Sequence, residues 1–88
     1  MKVEFKESFL KDLERVRDAA IRRRVKEIIE QVETAETPSD IANFKKLRGS
    51  ERYYRIRTGD YRIGLVLEGD TVVFVRLLHR KDIYRYFP

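Results

Sequence analysis

Two hydrophobic periods divide this chain. Over the first third, apolar residues return every three to four positions; from residue 53 they return every second position. Val3 and Phe5 alternate with Lys2, Glu4 and Lys6, the pattern of a short strand. Ser8 stands where a helix N-cap belongs, and Phe9, Leu13, Val16 and Ala20 follow at helical spacing. A second stripe, Ile21, Val25, Ile28, Ile29 and Val32, predicts another helix, with the break between the two near Arg17–Ala20. Thr37-Pro38-Ser39-Asp40 ends the helical region, and Ile41, Phe44 and Leu47 are spaced to anchor the next segment to a core. Tyr53–Thr58, Tyr61–Leu67 and Thr71–Leu78 read as strands joined by Gly59-Asp60 and by Glu68-Gly69-Asp70, an antiparallel meander. A tail, His79–Pro88, follows.

The predicted order is β-α-α-β-β-β. It describes an α+β fold in which a helical hairpin packs on one face of one sheet. At 88 residues, 42% of them hydrophobic, residues 1–88 form a single domain. Such a domain buries only about 60% of its unfolded surface, so its stability margin is thin. The absence of cysteine removes disulfide and thiolate chemistry, and one histidine is too few for a three-histidine zinc site. No apolar run exceeds four or five residues, far from a membrane span, and Met1-Lys2-Val3-Glu4 lacks a signal-peptide core. A cytoplasmic location away from membranes is expected.

Charge is unevenly placed. Residues 1–44 hold nine Lys/Arg against ten Asp/Glu; residues 45–88 hold eleven against five. The net +5 therefore arises wholly in the second half, which points to an anionic partner. Alternation along the strands refines this. Tyr54 and Ile56 share one face with Tyr61, Ile63, Leu65 and Leu67, leaving Arg55, Arg57 and Arg62 together on the other. In the last strand both sets are mostly apolar; Arg76 is the one polar interruption and is assigned to the arginine face. Clustered arginines repel across strands, and only Glu68, at the edge, offsets them. Arginine also suits bidentate phosphate contact. The tail adds His79, Arg80, Lys81, Tyr84, Arg85, Tyr86 and Phe87, the mixture of cations and rings that suits single-stranded nucleic acid. For Tyr86 and Phe87, folding back onto the core is an equal alternative.

No carboxylate cluster suggests a two-metal nuclease, and no nucleophile–histidine–acid order stands out. A cofactor-free route remains. RNA is cleaved when its own 2′-hydroxyl attacks the adjacent phosphate, given a base, an acid and positive charge on the transition state. The arginines supply the charge; His79 and Lys81 are the titratable candidates, with a surface hydrogen-bonding role the alternative for His79.

The segment Leu47-Arg48-Gly49-Ser50-Glu51-Arg52-Tyr53-Tyr54-Arg55-Ile56-Arg57-Thr58-Gly59-Asp60-Tyr61-Arg62-Ile63-Gly64 resembles the RelE/ParE toxins of bacterial and archaeal toxin–antitoxin modules. The ending His79-Arg80-Lys81-Asp82-Ile83-Tyr84-Arg85 is similar to that family's closing motif, and the resemblance spans essentially the whole chain. Its RelE branch implies a RelE-like RNase fold and a metal-free, ribosome-dependent mRNA endonuclease that blocks translation. Its partners would be mRNA, the ribosome and a cognate antitoxin bound in a hetero-oligomer. The family's paired basic positions fall on Arg55 and Arg57, its transition-state arginine on Arg62, its later basic pair on Arg80 and Lys81, and its stacking tyrosine on Tyr84, or on Tyr86 or Phe87 if the tail shifts. In the best-known RelE members the paired positions are lysines, one a proposed general base. Arginine cannot take that proton, which leaves His79, Lys81, Tyr84, or positioning and charge alone. The catalytic set is thus Arg62, His79, Lys81 and Tyr84; the RNA-binding set is Arg55, Arg57, Arg76, Arg80 and Arg85. The ParE branch implies the alternative of DNA gyrase inhibition without nuclease activity.

Overall fold

A computed structural model describes all 88 residues. The chain opens with β1 (Lys2–Phe5), α1 (Glu7–Arg15) and α2 (Ala19–Thr34). A 3-10 turn at Pro38–Asp40 leads into β2 (Phe44–Lys46), β3 (Tyr53–Thr58), β4 (Tyr61–Glu68) and β5 (Thr71–His79). One helical turn, α3 (Ile83–Tyr86), sits in the tail. The five strands form one sheet in the order β1-β5-β4-β3-β2, with β1 parallel to β5 and every other pair antiparallel. The expected meander is therefore the centre of the sheet. β2 is an addition: Phe44-Lys45-Lys46 is too short to show a period, yet it pairs with Arg55 and its neighbours on β3.

The helix boundaries correct one expectation and refine another. Ser8 is not the N-cap; α1 starts one residue before it, and the Ser8 hydroxyl donates to Val75 O at 2.6 Å, tying the helix to β5. The break between helices falls at Val16–Asp18, where Asp18 accepts from Ala20 N and Ile21 N and so caps α2. Arg22 then closes the hairpin by donating Nη1 to Val16 O at 3.2 Å.

Both helices lie on one face of the sheet. Phe9, Val16, Ile21, Val25 and Val32 meet Ile56, Ile63, Leu65, Val72, Phe74 and Leu77 there. Full burial of each such side chain contributes roughly 1.5–3 kcal/mol. Ile28 and Ile29 are only half-buried, so the stripe is narrower than its spacing suggests. The opposite face is partly covered as well. Leu47, Ile83 and Phe87 form a second small core with Tyr53, Val75 and Leu78 beneath α3. Phe87 is the tail ring that folds back, whereas Tyr84 and Tyr86 are exposed.

β5 carries an irregularity that governs the site. Gly64 pairs with Arg76 and Leu65 with Phe74, which leaves Val75 unpaired. Beyond this bulge the alternation slips by one residue: Arg76 reaches α1 through Asp12, and the next residue, Leu77, also belongs to the helix-side core.

Candidate functional site

The register of three strands builds a basic surface at one end of the face away from the helices. Arg57 is directly opposite Arg62, and Arg55 is directly opposite Lys45. None of these four cations takes part in the five ion pairs of the fold. Arg80 and Tyr84 complete the group. Burial lowers the Arg62 guanidinium from its ordinary value, the charges of Arg57, Arg55 and Arg80 add to this, and Tyr84 opposes it. Four side chains thus act electrostatically on Arg62, which remains a cation throughout the physiological range.

Arg62 is not the open surface residue its polarity suggests. It is 8% exposed, and its Nη1 donates to Gly59 O and Tyr61 O, each at 2.9 Å. The turn thus fixes one nitrogen and leaves the rest of the guanidinium oriented. Arg57 is exposed and Arg55 half-buried, so both have freedom to meet a ligand. Gly59 makes this turn possible: its φ is +60°, and a Cβ there would stand 3.1 Å from Arg24 Nη1 and 3.2 Å from Ile21 Cδ1.

Two expected members, Arg76 and His79, lie elsewhere. Arg76 is not on the arginine face. Its Nε donates to Asp12 Oδ2 at 2.7 Å and its Nη2 to Oδ1 at 3.2 Å, while Leu77 N donates to the same carboxylate at 3.0 Å. This hydrogen bond, first among its causes, raises the Arg76 guanidinium further above its ordinary value. Unbroken alternation from Val73 would bring His79 to the arginine face. The slip in β5 turns it the other way, where it pairs with Tyr61 and the two rings meet edge to face at 5.7 Å. His79 Nδ1 accepts from Lys81 N at 3.2 Å. Arg85 lies over the exposed Tyr86 ring, 5.9 Å from its centroid. Lys81 is exposed in the turn after β5.

Tyr84 is 67% exposed, and a groove of about 580 Å³ runs beside it, lined in part by Arg52, Tyr53 and Phe87. A second, smaller hollow of about 60 Å³ is lined by Asn43, Lys45, Arg55 and Arg57. Sequence reasoning missed Lys45 because β2 has no readable period; its only signal is a lysine pair just before Leu47.

Residues 3–84 match the family described as the ParE toxin of the type II toxin–antitoxin system, parDE. The chain belongs to the RelE/ParE toxin family. It is a RelE-type member of that family: it is 49% identical to Toxin RelE3 of Methanocaldococcus jannaschii, over the full length of both chains. Two solved structures carry the same architecture. The RelB–RelE antitoxin–toxin complex from Methanococcus jannaschii matches with a TM-score of 0.82 at 46% identity, covering 97% of this chain and 99% of that one. The archaeal RelE–RelB complex from Pyrococcus horikoshii matches with a TM-score of 0.72 at 25% identity, covering 90% and 93%. No helix of the chain is long and apolar enough to cross a membrane.

Proposed function

We propose that this RelE-type toxin cleaves mRNA on the ribosome and that a cognate antitoxin restrains it. The observation that carries this reading is the cluster of Arg55, Arg57 and Arg62, none of them in an ion pair, with Arg80 and the exposed Tyr84 close enough to act on Arg62. The two solved complexes of related toxins with RelB support the antitoxin partner.

In this reaction the 2′-oxygen of one nucleotide attacks the adjacent phosphorus and the bond to the 5′-oxygen breaks. The products are a 2′,3′-cyclic phosphate and a 5′-hydroxyl, so the proton lost from the 2′-hydroxyl is balanced by one gained at the 5′-oxygen. Negative charge rises on the phosphorane oxygens. Arg62, held by its own turn, and Arg57, directly opposite, are the residues assigned to meet it in this reading, which the turn hydrogen bonds and the strand register support. Oriented charge of this kind is the largest catalytic contribution in many enzymes. Tyr84 offers a ring for a base to stack on and the one hydroxyl within the cluster. This reading leaves out His79, whose pairing with Tyr61 turns it to the sheet face opposite the arginines. On this reading the arginines and the ribosome's alignment of mRNA carry the rate by charge and positioning, with Tyr84 and Lys81 the remaining groups that could move the proton.

The test is a translation reaction on defined mRNA, read by primer extension, with a matched sample lacking ribosomes. Cuts that require ribosomes and fall at least a hundredfold with Arg57→Ala support the reading. Intact mRNA in both samples, together with inhibited DNA supercoiling, would replace it with the gyrase chemistry of the ParE branch.

A further inference from the structure

The hollow between β2 and β3 is the feature of this surface that cleavage at Arg57 and Arg62 does not use. Asn43, Lys45, Arg55 and Arg57 line it, and no carboxylate or apolar side chain does. At about 60 Å³ it is far smaller than the groove of about 580 Å³ beside Tyr84, and its lining is wholly polar and cationic, as suits a small anionic group. Lys45 stands directly opposite Arg55, and like charges in that position destabilise a sheet. No ion pair offsets them. Asn43 enters β2 with a φ of 60°, a conformation asparagine tolerates better than most residues.

Two cation pairs thus stand in adjacent rows of the sheet: Arg57 with Arg62, and Arg55 with Lys45. The rows are two residues apart along β3, about 6.6–6.8 Å at strand rise, and the pairs flank β3 on opposite sides, offset by one strand spacing of about 4.8 Å. Their centres are therefore roughly 8 Å apart, within reach of successive phosphates of an extended single strand for side chains this long. We propose that Asn43, Lys45 and Arg55 form a second phosphate site, which holds the backbone phosphate next to the scissile one and so sets the register of the RNA. This assignment rests on the proposed RNA chemistry. Arg57 is shared between the two sites, and Lys45 acts on positioning without touching the reacting atoms.

The experiment measures binding of a five-nucleotide 2′-O-methyl RNA, which cannot be cleaved, by fluorescence anisotropy between 50 and 200 mM salt. Wild type, Lys45→Gln and Lys45→Arg are compared. Loss of one phosphate contact lowers the slope of log affinity against log salt by about 0.7 for a single strand. Lys45→Gln should show that loss and Lys45→Arg should restore the wild-type slope. In the ribosomal assay, a methylphosphonate at the phosphate next to the cut should slow wild type about tenfold and leave Lys45→Gln no slower than it already is. An unchanged slope in Lys45→Gln, or a wild type with no salt-dependent binding, overturns the second site. So does a Lys45→Gln protein that binds RNA normally and its antitoxin weakly, which would give the hollow to a carboxylate. Cleavage by wild type with an unchanged Lys45→Gln slope removes only this site. The predicted slope change without any cleavage removes only the nuclease reading.

Discussion

Phe87 sits on Gly64: a Cβ built at Gly64 would stand 2.7 Å from the Phe87 ring. The absent side chain on β4 is the seat for the aromatic ring that anchors the tail, and Ile83 and Leu47 close around it. Tyr84 and Arg80 are held near Arg62 by this packing of the tail against the sheet.

Gly64→Ala should therefore act on both stability and site. Overpacking of this kind costs about 1–3 kcal/mol. The melting temperature should fall, and cleavage should fall further than the loss of folded protein explains, because the tail is displaced. Thermal melts beside single-turnover cleavage separate the two effects. A variant that melts early but cuts normally once folded would break the link between tail and site.

Asp12 is a keystone between layers. It is 6% exposed and accepts from Arg76 twice and from Leu77 N once. Asp12→Ala leaves a half-buried guanidinium and a buried N–H without their acceptor, at a cost of about 3–5 kcal/mol. Asp12→Asn should cost less, since one oxygen still accepts. Urea denaturation of both variants checks the order.

Much of this fold is legible in the residue pattern. The stripe through Val25 and Val32 names the helix face, and Tyr54, Ile56, Ile63 and Leu65 name the sheet face, because burial on one side enforces a period. Legibility fails where no period operates. Phe44-Lys45-Lys46 is too short to alternate, so β2 and its Lys45 are silent. Arg76 was assigned by polarity, whereas its parity matches Phe74 and sends it toward Asp12. The bulge beyond Phe74 is invisible in a run of apolar residues, and it alone turns His79 away from the arginines. Arg55, Arg57 and Arg62 were readable because a charged residue in an alternating strand has only one face to occupy.

His79→Gln should leave the cleavage rate within about twofold of wild type, since the imidazole packs on Tyr61 across the sheet from Arg62. The rate should also show no inflection from a histidine between pH 5 and 8. Neither arginine whose guanidinium is shifted produces one. Arg62 is lowered and Arg76 raised from a value far above that window, so both stay protonated across it. A tenfold loss in His79→Gln would show that the imidazole reaches the substrate.

Helix burial makes a sharp contrast between neighbours. Val25 is buried and Ile28 half-buried on the rim of a surface hollow. Val25→Asp should unfold the domain, because a charge buried without a partner neutralises or unfolds its site. Ile28→Asp should remain folded, with a loss of about 1–2 kcal/mol. Circular dichroism of the two purified variants decides this.

Exposure makes Arg57 the cleanest probe of the charged surface, because Arg62→Ala also strips two hydrogen bonds from the turn at Gly59. The most direct measurement is ribosome-dependent cleavage of defined mRNA by wild type and Arg57→Ala, each shown to share one melting temperature. The arginine cluster predicts cuts by wild type with a 2′,3′-cyclic phosphate end, and a loss of at least a hundredfold in the variant. Equal cutting by both proteins would contradict a site built on these charges.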